Sequence, residues 1–403
     1  MRQRVLQVIG VAITLIVVSL AMATLKGQAP TPAQEGPAAK TSWGEPDLQG
    51  IWGIEYQVPL QRPAKFKDKA FFTDAEIAQL DDDRVAKPFL QKRAERGTEK
   101  DVAGAYDSRV FTTQRRTGRR TSLIIDPPDG RLPPITPALQ ARNKELREFQ
   151  LAHVEATEAC KQQYRGCEGG KYTGVASPRM REPYKYYPSY IQVNRADGPE
   201  DHGLGMRCLS AILPDFGGGG FGGGVWQIAQ APGAVSIYYD TGQGQGWHRT
   251  IHLDDSPHLP ASIRLWWGDS RAHWEGNSLV VDVTNFSAKT NFQGSNENLH
   301  LVERWTRTGP ASIEYKVTVE DPTTWTKPWT AVQDLAKQSD QLNRVYKEPR
   351  CVEGNYSIFA WLAGARAKEQ AFAEGRGPDP ATINYATSTT AALDDEELDE
   401  LTQ

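Results

Sequence analysis

Cysteine and methionine are scarce in this sequence, with 4 residues of each among 403, and neither sign of charge dominates. Lys and Arg number 46 against 50 Asp and Glu, a formal net charge of −4, so the chain lacks the basic footprint of a nucleic-acid binder. Hydrophobic residues make up 39% and charged residues 24%. These ordinary values argue against a disordered chain, a collagen and a multi-span membrane protein, and the length allows one large or two ordinary domains.

The sequence motifs of several enzyme classes are also missing. We find no G-x-S-x-G elbow, no G-x-G-x-x-G after a strand, no H-E-x-x-H and no EF-hand loop. The glycine run from Gly217 to Gly224 is not followed by Gly-Lys-Ser or Gly-Lys-Thr, so it is not a phosphate-binding loop. Serine-hydrolase, dinucleotide-binding and zinc-protease functions are therefore disfavoured, and no cofactor is expected.

The first 29 residues have the layout of an export signal. Arg2 and Arg4 precede an almost uncharged apolar run over residues 5–25, and small residues suit cleavage near Ala23 or Ala29. An uncleaved membrane anchor is the alternative, because about 21 apolar residues can also span a bilayer. We expect a periplasmic or secreted protein that contacts the membrane only through residues 5–25, if that segment is retained.

The four cysteines lie at positions that an oxidising compartment could pair. We predict a small loop closed by Cys160 and Cys167 and a long one closed by Cys208 and Cys351. Four unpaired thiols are the alternative. The spacing does not indicate zinc, because no CxxC occurs and no histidine stands at finger spacing.

Strand follows strand from residue 225 onward. About eight antiparallel strands at near-regular spacing predict an up-and-down barrel or a sandwich in a mainly β protein. We expect an amphipathic helix over residues 357–374 to cover one end or side. Two earlier helices are predicted, one from the capping-box pattern Thr73-Asp74-Ala75-Glu76 to about Leu80, and one from Thr136 to about Gln162. The candidate strands are residues 50–54, 122–125, 225–230, 234–239, 247–253, 269–274, 278–284, 299–306, 312–320 and 325–335.

These elements give a domain organisation for the whole chain. A signal peptide or anchor over residues 1–29 and a flexible tether over 30–44 precede a helix and loop region over 45–224 that packs on the barrel. The barrel and its covering helix take residues 225–375. Six acidic residues crowd into the last ten positions, so residues 376–403 are predicted to be a disordered acidic tail.

One predicted strand carries an acidic residue on an apolar face. Leu299, Leu301, Glu303 and Trp305 share that face, so Glu303 is buried if the face is the barrel interior. Such a carboxylate is either a general acid or base, or one half of an internal salt bridge with an arginine of a neighbouring strand. If the protein is an enzyme, Glu303 is the base. The partner acid is then His273 or His252, and the substrate-orienting group is Arg304 or Asn291.

Two further groups of residues could bind something. The strand and loop histidines His248, His252 and His258 are a weak alternative metal site, against the more ordinary interpretation of surface or structural histidines. The chain also has 11 Trp, which either fill the core or line a pocket for an aromatic ligand. The candidate ligand-binding residues are Trp266, Trp274, Trp305, Tyr187 and Tyr315.

Six segments of the chain are the motifs EPDLQGIW (residues 45–52), RTSLIIDPPDGR (120–131), GDSRAHWEG (268–276), ENLHLVER (297–304), VEDPTTWTKPWT (319–330) and EGNY (353–356). Together they resemble those of a large group of exported, largely uncharacterised bacterial proteins. The resemblance spans roughly residues 45–370 and implies an exported protein, but it implies no catalytic residue. A likeness to the lipocalin-type barrel comes only from the strand pattern, and a fold does not fix a function.

Three functions remain open on the sequence. The first is a periplasmic protein that binds a small, partly apolar or aromatic molecule inside a Trp- and Tyr-lined barrel. The second is a cofactor-independent hydrolase, lyase or isomerase that uses acid–base chemistry in the same pocket. The third is an envelope interaction protein that docks a partner through its acidic tail.

Overall fold

Nine strands close into a barrel in the computed structural model of this chain. The predicted barrel is therefore confirmed, and the sandwich is not. The described residues are 39–86, 115–161, 172–183, 194–202, 207–209, 213–216, 224–242, 245–339 and 356–383. The strands are β1 (Gly50–Gly53), β2 (Tyr56–Gln57), β3 (Arg116–Thr117), β4 (Ile124–Asp126), β5 (Val225–Ala231), β6 (Ala234–Gly242), β7 (Gln245–His252), β8 (Asp269–Glu275), β9 (Ser278–Thr284), β10 (His300–Gly309), β11 (Ser312–Glu320) and β12 (Trp329–Lys337).

The barrel strands follow the order β1-β5-β6-β7-β8-β9-β10-β11-β12, and β12 pairs back to β1. All pairs are antiparallel except β7 with β8, which meet through His252 and Arg271 as parallel neighbours. The long connection between them, residues 253–268, lets β8 run in the same direction as β7, so the barrel is mixed. Outside the ring, β4 adds to β12, and β2 pairs with β3 in a separate two-stranded sheet.

Strict alternation of side chains explains which face of each strand turns inward. On β11, Ile313, Tyr315, Val317 and Val319 are buried, and the residues between them are half-buried on the outer face. β10 repeats the pattern, with Glu303 at 0% exposure among its inward residues. The hairpin between β8 and β9 turns at Gly276, whose φ of +60° favours glycine. Burying the inward rows produces one contiguous aromatic-rich core inside the barrel.

Helix α1 (Asp74–Ala86) begins where the sequence predicts and extends beyond the predicted end near Leu80. Its capping box is confirmed. The N–H of Thr73 donates to Glu76 at 2.7 Å, and the N–H of Glu76 donates to the Thr73 hydroxyl at 3.3 Å. The hydrogen bond from Lys69 lowers the pKa of Glu76 to about 2. The carboxylate therefore stays ionised and keeps the helix start capped.

Helix α2 (Pro137–Ala152) starts at its predicted cap but stops before Gln162. The Thr136 hydroxyl accepts from the N–H of Leu139 at 3.2 Å. At the other end, the Asn194 amide donates to the carbonyl of His153 at 2.9 Å. In a longer helix this carbonyl would accept a hydrogen bond from a backbone N–H of the next turn. A turn follows, and then the short α3 (Glu158–Lys161).

Helix α4 (Tyr356–Ala373) matches the predicted C-terminal helix. The ring centroid of Trp361 on this helix lies 3.9 Å from that of His202, and the Arg366 guanidinium donates to the carbonyl of Ala196 at 2.5 Å. None of the helices in the described ranges is long and apolar enough to cross a bilayer. Short 3-10 turns occupy Ala64–Phe66, Pro178–Arg181, Pro199–Asp201 and Pro380–Thr382.

Several sequence predictions concern residues outside the described ranges. They are the export segment, Tyr187, Cys167, Cys351 and residues 384–403 of the predicted tail. Cys160 and Cys208 are described, both are buried, and neither is a free thiol. The disulfide connectivity stays a prediction.

Candidate functional site

A buried ion pair crosses the interior of the barrel. Arg249 on β7 and Glu303 on β10 face each other, with Nη2 2.8 Å from Oε2 and Nη1 donating to Oε1 at 3.1 Å. Their side chains are only 2% and 0% exposed. Two-point contact at this depth fixes both side chains, because a buried charge without its partner is strongly unfavourable.

Three neutral side chains complete this arrangement, which we call the polar bridge (Tyr239, Arg249, Ser270, Glu303 and Tyr315). The Tyr315 hydroxyl donates to Glu303 Oε1 at 2.9 Å. Arg249 Nε donates to the Ser270 hydroxyl at 2.9 Å, and Nη1 also donates to the Tyr239 hydroxyl at 3.2 Å. Five strands, β6, β7, β8, β10 and β11, therefore meet through hydrogen bonds at one level of the barrel.

The protonation states in the polar bridge are fixed by burial and by the ion pair. Burial opposes the charge of Arg249, but the adjacent Glu303 carboxylate outweighs it and raises the pKa of Arg249 above its ordinary value. Burial also raises the pKa of Tyr239 and of Tyr315. Both phenols therefore stay neutral, and the arginine stays charged. This is the internal salt bridge that the sequence offers as the alternative to catalysis.

The other candidate catalytic residues do not reach Glu303. His273 and Arg304 lie outside the barrel, where both contact Glu275 at 3.0 and 2.6 Å. His252 lies on the outer row of β7, next to inward-facing Ile251. Asn291 accepts from the N–H of Gly294 at 2.8 Å in a turn. Among the described residues, no histidine joins the polar bridge.

Aromatic rings pack against both ends of the polar bridge. At one end, Tyr239 stacks on Trp267 with ring centroids 4.8 Å apart, and Trp247 lies 6.3 Å from Trp267. At the other, Trp305 packs on Tyr315 at 4.4 Å. The structure therefore brings the predicted Trp305 and Tyr315 together beside Glu303.

The remaining predicted ligand residues are less central. Trp266 and Trp274 are half-buried and pack against the core. Sequence reasoning missed Trp267, Tyr239 and Arg249. The alternation on β7 could have found Arg249, since it shares its face with Ile251 and Leu253 rather than with the histidines.

Six tryptophans in the barrel region have a buried indole N–H that donates to nothing in the described part of the chain. Four of them, Trp247, Trp267, Trp274 and Trp305, lie on or next to β7, β8 and β10. The other two, Trp325 and Trp329, pack beside Phe292. Two other core tryptophans are satisfied: Trp52 Nε1 donates to the carbonyl of Leu48 at 2.8 Å and Trp226 Nε1 to Asp215 at 2.9 Å. An unsatisfied buried donor costs about 1–3 kcal/mol, so the four indole N–H groups on or next to β7, β8 and β10 need an explanation.

The three histidines predicted as a weak alternative metal site, His248, His252 and His258, do not form a common site. His258 lies between Asp269 at 2.8 Å and Asp282 at 3.0 Å on the outer surface. His248 instead packs on the ring of Tyr238, with centroids 4.7 Å apart. Within the described ranges, no group of three or more His, Cys, Asp or Glu residues could hold a metal ion.

Comparison of this chain with protein-family models, with curated proteins and with solved structures finds no match. The function therefore has to be inferred from the barrel and its interior.

Proposed function

We propose that the protein is an exported binding protein for a small, partly apolar molecule that carries an aromatic ring and a hydrogen-bond acceptor. The four buried indole N–H groups of Trp247, Trp267, Trp274 and Trp305 support this proposal most directly. Each could donate to an acceptor on a molecule held among these rings. Buried donors without partners are rare in native proteins, and a bound molecule removes their cost.

The polar bridge supports binding better than acid–base catalysis. A general base must reach the proton that it abstracts. Glu303 instead contacts Arg249 with both oxygens and accepts from Tyr315, so its charge is already neutralised. In a binding protein, this bridge holds Tyr239 and Tyr315 in fixed positions, which lowers the entropy lost when a ring packs against them.

The export part of the proposal rests on the N-terminal sequence. The apolar run over residues 5–25 follows two arginines, and small residues suited to cleavage come after it. The absence of a free thiol at Cys160 and Cys208 is compatible with an oxidising compartment.

Native mass spectrometry of protein purified from its own host is the first test. A stoichiometric small-molecule adduct is the expected result. The second test titrates 4-hydroxyacetophenone and 4-ethylphenol against tryptophan fluorescence. The two probes are similar in size, but only the first has a carbonyl acceptor, so it should bind roughly 2- to 10-fold more tightly.

Variants locate the binding. Trp305→Phe keeps a ring but removes the N–H, so it should reduce or abolish the preference for the carbonyl probe. Trp52→Phe is the matched control, because its N–H already has a protein acceptor in Leu48. A bare polypeptide from the host, together with no quenching by either probe, would show that the proposal is wrong.

A further inference from the structure

A groove with a volume of about 420 Å³ lies outside the barrel, between its wall and the N-terminal elements. Strand β12 supplies one side, and β2, β3 and α1 supply the other. Pockets that hold small organic ligands span about 300–1,000 Å³, so the groove is large enough for one such molecule. It is separate from the polar bridge, because Val332 and Asp334 are in the outward-facing row of β12.

The walls of the groove are held in place by hydrogen bonds and side-chain packing. Both the N–H and the hydroxyl of Thr117 donate to Asp81, at 2.9 and 2.7 Å, which fixes α1 against β3. Apolar side chains of Val58, Ile77 and Val332 form part of the lining. A ring or short alkyl chain placed there would leave water for an apolar surface, which is favourable.

Three arginines border this apolar lining: Arg116, Arg119 and Arg120. The side chain of Arg116 has no hydrogen-bond or ion-pair partner among the residues that the structure describes, and Arg120 lies over the ring of Phe71 at 5.5 Å. Arg119 pairs with Asp74 at 2.5 Å, but both side chains are well exposed, so this pair is weak. Positive charge therefore lies beside the apolar lining of the groove.

The acidic residues of the groove do not cancel this charge. Asp81 already accepts two hydrogen bonds from Thr117. Burial raises the pKa of Asp334, and the nearby charge of Arg120 opposes that shift. Two carboxylates against three arginines leave a net positive groove with an apolar lining.

We infer that this groove is a second binding site and that it takes a small organic carboxylate with an apolar or aromatic body. The carboxylate lies between Arg116 and Arg120, and the apolar body rests on Val58, Ile77 and Val332. A guanidinium presents a planar fork of donors that matches a carboxylate in geometry and charge. This site does not depend on the function proposed for the barrel interior.

Calorimetric titration of the full chain with 1-naphthoate, and with the uncharged naphthalene-1-carboxamide, tests the inference. The naphthoate should bind at least about tenfold more tightly than the amide, because hydrogen bonds to charged groups are the stronger ones. Arg116→Gln and Arg120→Gln should each weaken naphthoate binding about tenfold. Raising the salt from about 0.05 to about 0.5 M should weaken it further.

Two further variants separate this site from the rest of the molecule. Arg304→Gln removes an arginine from the outer face of β10 and should not alter naphthoate binding. Ile77→Trp narrows the groove without changing charge and should block it. Thermal unfolding of each variant confirms that it is folded. Equal binding of the two probes, undiminished binding to Arg116→Gln, or loss of naphthoate binding in Trp305→Phe alone overturns the inference.

Discussion

Replacing Arg249 by methionine should destabilise the barrel more than any surface arginine change. Methionine is similar in volume and uncharged, so the substitution removes the ion pair without leaving a large cavity. Glu303 would keep only the hydrogen bond from Tyr315 while remaining fully buried. Removing one partner of a buried pair costs about 3–5 kcal/mol, and we expect a loss in free energy of unfolding in that range.

The low exposure of the Arg249 and Glu303 side chains is the reason that we expect so large a loss in the free energy of unfolding. At 2% and 0% exposure, Arg249 and Glu303 are out of reach of solvent and salt, so the small values typical of surface pairs do not apply. Arg304→Met is the matched control. That arginine pairs with Glu275 at 2.6 Å, but the two side chains are 36% and 48% exposed. Its loss should cost no more than about 1 kcal/mol.

Urea unfolding followed by tryptophan fluorescence measures both variants. The double variant Arg249→Met with Glu303→Gln should be more stable than Arg249→Met alone, because the second change removes the uncompensated charge. The reasoning is refuted if Arg249→Met costs less than about 1 kcal/mol, or if Glu303→Gln gives no recovery in the Arg249→Met background.

Two further predictions concern the outer surface and a tight turn. The hydrogen bond to Asp282 raises the pKa of His300 in the folded protein. The stabilisation that this contact gives is therefore complete at pH values below the pKa of His300 in the unfolded chain, and it is lost as the pH rises through the pKa of His300 in the folded protein. His300→Gln should therefore lower the free energy of unfolding by up to about 1 kcal/mol near pH 6 and by less near pH 8, and a gap independent of pH contradicts this. Gly268 and Gly276 have similar positive φ values, +67° and +60°, but an added Cβ at Gly268 would lie 2.6 Å from a backbone oxygen, whereas the space at Gly276 is open. Thermal unfolding should show Gly268→Ala costing about 1–3 kcal/mol more than Gly276→Ala, and equal melting temperatures would contradict the steric argument.

The strands of the C-terminal half were predictable because each buries only one face. The 312–320 strand has the predicted bounds, since its apolar and polar residues alternate without a break. The last strand starts at Trp329 instead of residue 325, because Asp321 holds the preceding turn. Its carboxylate accepts from the N–H of Thr323 at 2.8 Å and from the Thr324 hydroxyl at 2.9 Å. Such side-chain contacts with a turn leave no periodic signal in the sequence.

Contacts between distant strands could not be predicted in the same way. Alternation places Arg249 and Glu303 on inward faces, but it does not say that β7 and β10 face each other across the barrel. Burial of Glu303 could be inferred from its apolar neighbours, whereas the identity of its partner depends on how the strands close. The role of β1 was hidden for the same reason, because a four-residue strand gives a weak pattern on its own.

The order of synthesis gives the closing strand β1 a particular part in folding. β1 is made first, yet it pairs with β5 and β12, so its neighbours emerge only after most of the chain has been made. Until β1 joins them, β5 has an unpaired backbone edge, and so does the end of β12 beyond its pairing with β4, and other chains can pair with these edges. Proline at Ile51, the second residue of β1, would remove a backbone donor from this short strand. We expect such a chain to aggregate during refolding while its eight other barrel strands keep their own pairing.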